Sequence, residues 1–271
     1  MVVAYFDESE RLKAGDPLSV GGFIFKPTDY RQFCRKWRHM LAAAPAGPLP
    51  YFHMTDLWAG RQSMARRTIP QRLALLEQAT ELVYEHTIGG VCVTFYQQEF
   101  ESVAPPNWPQ VFGSIYTAAC QSAVLMTSKY MEENRGLYEP IHYFFESGHK
   151  FDHEAATWLK GLSFPSIKKE LRYHGHTFAD KAQLCGLQAA DLMAWMGSRV
   201  ATLEKPTGAA AVLSDPLGRL LVRSGPSRFM LDTLTGARLK DLIDLIAQRM
   251  QTDPEDHDRM LDPGPRKRRF R

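Results

Sequence analysis

VVAYFDESERLKAGDPLSVGGFIF, residues 2–25, is the stretch on which the fold turns. Val2 to Phe6 is an apolar run of the length a buried strand takes, and Asp7-Glu8-Ser9 closes it. ERLKAGDP, residues 10–17, supplies turn residues, and Leu18 to Phe25 is a second apolar run. Two such runs joined by a polar turn predict an antiparallel hairpin.

Beyond the hairpin the apolar pattern switches between helical and strand spacing. Asp29 to Ala44 predicts a helix with Phe33, Trp37, Met40 and Leu41 along one side and Thr28 as its N-cap. Pro48 and Pro50 end that region, and Tyr51 to Leu57 reads as a strand edge or a loop. Pro70 to His86 predicts an amphipathic helix, with the proline in its first turn and Leu73, Leu76, Ala79 and Leu82 at helical spacing. Gly89 to Tyr96, Ile141 to Glu146 and Glu170 to His174 read as strands. Gln110 to Glu133, Phe151 to Leu159 and Ala182 to Val200 read as helices, the first well buried. Ser214 to Phe229 is turn-rich and reads as a hairpin insertion, and Ala237 to Met250 as a last helix. Strands interleaved with helices predict an α/β fold, a mixed sheet flanked by helices in one domain, with a C-terminal helical and hairpin extension.

A composition of 44% hydrophobic and 23% charged residues is that of an ordinary globular chain, which excludes global disorder. No stretch of about 18 uninterrupted apolar residues occurs, so no membrane span is expected. MVVAYFDESE lacks the basic start and small-residue cleavage site of a secretory leader. Cys34, Cys92, Cys120 and Cys185 are far apart and form no CxxC pair, which fits free thiols in a reducing cytoplasm. Of the net charge of +3, the tail Gly264 to Arg271 supplies five basic residues and no acid, leaving 28 basic against 30 acidic residues in the body. PRKRRFR is read equally as a solubilising tail or a nonspecific phosphate contact.

Three acids stand where apolar packing would not put them. Asp7 follows the first apolar run, Glu146 follows IHYFF, and Asp191 sits inside LCGLQAADLMAWMG. A carboxylate buried among such residues is costly unless a cation or donors meet it. Two carboxylates from strand ends and one from a packed helix make a divalent-ion site, since Mg²⁺ takes oxygen ligands. Each acid also has a structural reading: Asp7 caps a turn, Glu146 marks where its strand meets solvent, and Asp191 pairs with Arg199 or another base across the helix packing.

Four patches carry a resemblance: YFDES at 5–9, FHMTDL at 52–57, FFESG at 144–148 and LQAADLMAW at 187–195. In them the chain resembles the family called domain of unknown function 3800, across roughly the first 200 residues. The resemblance implies a ribonuclease H-like domain over residues 1–202; beyond it no family motif is found, and residues 203–263 are read as an extension packed on the same domain and 264–271 as a basic disordered tail. It implies that Asp7, Glu146 and Asp191 hold Mg²⁺ or Mn²⁺, with Asp7 bridging two ions, and that Glu8 and His53 lie close by. Asp56 and Asp180 are candidates for a fourth acid. His53 is first among the histidines for moving a proton, ahead of His149, His174 and His176. The activity implied is metal-assisted phosphodiester hydrolysis of DNA or RNA. The alternative is a catalytically silent nucleic-acid-binding or scaffold protein of the same fold. No DxDx(T/V) follows the first strand, and no GxxxxGK[ST], GxGxxG or GxSxG occurs, so other phosphohydrolases, nucleotide binders and serine hydrolases lack support.

Overall fold

The computed structural model describes residues 1–10, 17–106, 108, 113–163, 165–203, 218, 228–241 and 244. Its centre is β1 (Val2–Glu10), hydrogen-bonded on one side to β2 (Pro17–Phe25) and on the other to β4 (Ile141–Glu146). The β1–β2 pair is antiparallel, with Val3 opposite Phe25 and Glu10 opposite Leu18. The β1–β4 pair is parallel, with Val2 opposite Ile141 and Phe6 opposite Phe145. With β3 (Gly89–Tyr96), β5 (Tyr173–Ala179) and β6 (Phe229–Leu234), the described strands form one mixed sheet in the order β5-β4-β1-β2-β3-β6. The first strand is therefore central, next to Ile141 to Phe145 and paired with Leu18 to Phe25, as the hairpin reading requires.

Alternation along β1 splits the core into two layers. Tyr5 packs with α1 (Pro27–Ala42), α3 (Ile69–His86) and α8 (Cys185–Leu203), among Phe25, Phe33, Trp37, Leu76 and Met193. Ala4 and Phe6 face the other way, into α5 (Ile115–Arg135) and α6 (Asp152–Gly161), with Val93, Ala119, Ala123, Phe145 and Leu159. Each large buried side chain contributes on the order of 1.5–3 kcal/mol. On the first side α8 descends almost to backbone contact. A methyl group on Gly21 of β2 would sit 2.7 Å from the Ala194 amide nitrogen, and one on Gly186 or Gly197 would enter the Tyr5 ring or the Cys92 sulfur. None of the described helices is long and apolar enough to cross a membrane.

Several boundaries differ from the sequence reading. Helix α1 begins at Pro27, not Asp29. Its N-cap is Lys26, without a side-chain bond, and Thr28 lies inside the first turn. FHMTDL is neither strand nor plain loop: it leads into α2 (Met54–Ala59), which stops at left-handed Gly60. Thr68 and Gln71 form a reciprocal capping box that starts α3 at Ile69, and Leu73, read as core, is exposed. The long helix starts at Ile115, capped by Ser114, rather than at Gln110. The short helices α4 (Gln97–Val103) and α7 (Pro165–Glu170) and the strand β6 were not anticipated. β5 starts at Tyr173 rather than Glu170, and α8 starts at Cys185 rather than Ala182. Most of the expected hairpin at 214–229 and the tail at 264–271 lie outside the described residues. Of the expected last helix, Ala237 to Met250, residues 237–241 and 244 are helical and the others lie outside the described residues.

Candidate metal centre

β1 outruns its neighbour. Its last partner on β4 is Phe145, opposite Phe6, whereas its pairing with β2 continues to Glu10. Beyond Phe6 one flank of β1 is thus open, just where β4 ends at Glu146. Asp7 is not the residue after the strand, as its sequence context implied, but a residue within it, at the start of this notch. Successive strand residues point to opposite faces, so Asp7 and Glu8 start on opposite sides of the sheet. Because β4 stops, their carboxylates still meet: oxygens of Asp7, Glu8 and Glu146 all lie within 4.8 Å of one another.

Asp191 reaches the same place from α8. Three of these four acids, Asp7, Glu146 and Asp191, share a cation, the ammonium of Lys181. Its Nζ lies 2.8 Å from Asp7 Oδ2, 2.7 Å from Glu146 Oε2 and 3.8 Å from Asp191 Oδ1, and its side chain is only 12% exposed. Lys181 stands in the turn before α8, and that turn is pinned. The Gln188 side chain donates to the Lys181 carbonyl at 3.1 Å and accepts from Trp37 Nε1 at 2.8 Å and the Phe52 amide at 3.1 Å. Asp7 Oδ1 accepts the Glu8 amide at 2.7 Å, and Asp191 Oδ2 accepts the Met54 amide at 2.6 Å. That last bond serves the N-terminus of α2, where amides lack partners of their own. The base that meets Asp191 is Lys181 rather than Arg199, whose guanidinium lies over the rings of Trp58 and Trp195.

The electrostatics show an excess of negative charge. Burial, then the hydrogen bond with Glu146, holds the Asp7 carboxyl well above the usual carboxylate range, against the pull of Lys181. Burial and the Glu146 charge push Glu8 up to about 7. Burial alone would lower the Lys181 pKa, but Asp191, Asp7 and Glu146 outweigh it and raise it. Four carboxylates facing one ammonium leave a surplus that protons or further cations must meet. The donors are hard oxygens, the set that Mg²⁺ and Mn²⁺ take, and the ammonium held by three of them shows that this pocket accommodates a cation.

The other expected residues are placed differently. The His53 ring contacts Asp56 Oδ2 at 3.0 Å, which occupies one of the two fourth-acid candidates. The other, Asp180, accepts the Ala182 amide at 2.8 Å and shapes the Lys181 turn. The acid that does approach the cluster is Asp152, at the start of α6, whose charge adds to the rise in Glu8. It accepts from Tyr116 Oη at 3.2 Å and from the Gly148 amide at 2.6 Å. His149 stacks on Tyr116 with ring centroids 3.8 Å apart, and His174 and His176 lie on β5. Sequence reasoning did not name Lys181. The available signal was that it is the only Lys or Arg between residues 173 and 198, just ahead of a helix carrying a buried acid.

No family model and no curated protein matches the chain. Solved structures that match include the ribonuclease H2 from Pyrococcus horikoshii OT3, at 14% sequence identity and a TM-score of 0.40, covering 96% of this chain and 97% of that one. A likeness this loose transfers neither residues nor activity.

Proposed function

We propose that the chain is a divalent-metal-dependent nuclease of the kind gathered in the domain of unknown function 3800, hydrolysing phosphodiester bonds of DNA or RNA. The observation that carries this reading is the convergence of Asp7, Glu8 and Glu146, joined by Asp191 through Lys181, in a notch at the end of a sheet strand. Asp7, Glu146 and Asp191 would hold Mg²⁺ or Mn²⁺, with Glu8 as a further ligand. Such an ion supplies charge neutralisation at the phosphate and an activated water. The chain's own residues do the rest. Asp7 and Glu146, fixed by β1 and β4, hold the ligands at a set spacing. Asp191 is oriented by the Met54 amide. His53, with Nδ1 engaged by Asp56, has Nε2 with which to exchange a proton.

A second reading has one observation in its favour: Lys181 already neutralises part of the cluster, as it would in a silent nucleic-acid-binding protein of this fold. A digestion panel separates the two. Labelled single- and double-stranded DNA, single-stranded RNA and an RNA–DNA hybrid are incubated with Mg²⁺, Mn²⁺ or EDTA. Cleavage that needs the ion and disappears in Asp7→Asn supports the nuclease. No cleavage of any substrate, together with no thermal response to either ion, sinks it.

A further inference from the structure

A surface outside the carboxylate centre has the chemistry of a strand-binding platform. The bond from the Met54 amide to Asp191 Oδ2 fixes the start of α2 at the centre. Trp58 lies four residues after Met54 on α2, and Trp195 four residues after Asp191 on α8. Residues four apart are neighbours on one helix face, so both tryptophans stand one turn from the centre, on about 6 Å of helix. They meet there, with ring centroids 5.2 Å apart and tilted by 47°. The Arg199 guanidinium lies 4.2 Å over the Trp58 ring and 4.9 Å over that of Trp195. Trp195 is buried, but Trp58 is 43% exposed, unusual for a side chain of its size in a chain with ample core.

The charge beside it is one-sided. From Leu57 to Leu76 there are four arginines and no acid, in a body that is otherwise slightly acidic. Two of the four are used by the fold. Arg72 Nη1 donates to the Leu57 and Trp58 carbonyls at 2.8 and 2.7 Å, ending α2, and Arg67 donates to the Ser63 and Gly47 carbonyls. The other two, Arg61 and Arg66, are exposed on the short turn that follows α2.

We propose that this surface binds a single nucleic-acid strand, with a base against Trp58 and phosphates on Arg61 and Arg66. The proposal rests on the nuclease reading and names the side from which the strand reaches the centre. An exposed indole one helical turn from the centre offers a flat face that accepts any base, and arginines beside it meet phosphate without reading sequence. An ordinary duplex keeps its bases stacked inside, so a single strand fits better than a double one.

The test is fluorescence anisotropy of the full chain with labelled 12-mers of dT and of rU, and with a 12-base-pair duplex. It is run in EDTA so that binding is read apart from cleavage. Both single strands bind better than the duplex, and a difference between dT and rU tells which sugar the surface prefers. Trp58→Ala weakens single-strand binding by roughly fivefold or more, Trp58→Phe keeps most of it, and melting curves confirm that both variants are folded. The double variant Arg61→Ala/Arg66→Ala, altered only at exposed positions, lowers the slope of log affinity against log salt by about 1.4. Unchanged affinity in Trp58→Ala, a preference for duplex, or no binding at low salt overturns the proposal. Binding that behaves as described, with neither metal-dependent cleavage nor a thermal response to either ion, would leave this surface standing and sink the nuclease reading. Cleavage with an indifferent Trp58 would do the reverse.

Discussion

Replacing Lys181 by methionine removes the one ammonium from a cluster of acids while keeping most of the side chain's bulk. Its Nζ is bonded at 2.8 Å to an Asp7 side chain that has no solvent exposure and at 2.7 Å to Glu146. Deleting one partner of a buried pair costs about 3–5 kcal/mol. Burial and Glu146 already hold the Asp7 carboxyl above the usual range, so it can take up a proton when the ammonium is gone, which sets the cost toward the lower end. For a chain of this size each kcal/mol moves the melting temperature by roughly 2–4 °C, so Lys181→Met in EDTA at pH 7.5 should melt about 6–12 °C below the wild type. Adding Mn²⁺ should reverse the order of responses. If the ion and the ammonium compete for the same oxygens, losing the ammonium tightens the ion. Each tenfold gain in affinity adds about 1.4 kcal/mol of stabilisation at saturating metal, or roughly 3–6 °C. Differential scanning fluorimetry across a Mn²⁺ titration reads both effects, and isothermal calorimetry gives the affinity directly. A Lys181→Met protein with no larger Mn²⁺ response than the wild type would refute the idea that lysine and metal share one place. A metal-free melting point equal to the wild type would refute the buried pair.

Asp7→Asn should lose the metal-induced rise in melting temperature and all cleavage, while metal-free stability stays level or rises, since one of the crowded charges is gone. A variant that loses metal-free stability yet keeps its metal response would make Asp7 a structural residue. His176 is pushed down to about 4, chiefly by burial, from an unfolded value of about 6.5. Between those values the unfolded chain binds the proton and the folded chain does not, so stability is full above pH 6.5 and falls as pH drops toward 4. His176→Gln should flatten that stretch of a melting-temperature profile, and an unaltered profile would assign the acid sensitivity elsewhere. Deleting Gly264 to Arg271 should leave the melting temperature unchanged and lower the salt slope of nucleic-acid binding, because up to five phosphate contacts go. An unchanged slope would make the tail a solubiliser.

The parts of the fold that were legible are those where one physical signal dominates. Val2 to Phe6, Leu18 to Phe25 and Ile141 to Phe145 are near-continuous apolar runs because both faces of the sheet are covered, and they pair as read. Asp7, Glu146 and Asp191 stood out because a carboxylate in apolar context needs a partner. The partner itself was hidden. Its isolation between residues 173 and 198 was the one hint that Lys181 differs from a solvated lysine, and its role exists only once α8 brings its turn over the ends of β1 and β4. Asp-Glu-Ser read as a strand end because acids disfavour strands, but pairing with β2 up to Glu10 overrides that preference. YHGHTFA is a strand at the sheet's edge with mixed polar faces, so its start was misplaced. Helices α2 and α4, of six and seven residues, are too short to show a period.

The seating of α8 on glycine has a consequence for how this chain can change over generations. Asp191 is held against Asp7 by a spacing between helix and sheet in which Gly21, Gly186 and Gly197 admit no side chain at all. On the opposite layer, the contacts of α5 with Val93, Phe145 and Leu159 are between side chains, where swaps of similar volume are usually tolerated. Mutational tolerance should therefore be lopsided. A library covering both layers would keep function through many replacements on the α5 side, while on the α8 side a single methyl group at any of the three glycines would move one carboxylate away from the rest. The permissive half of the molecule can drift, and the intolerant half keeps the lineage's chemistry constant.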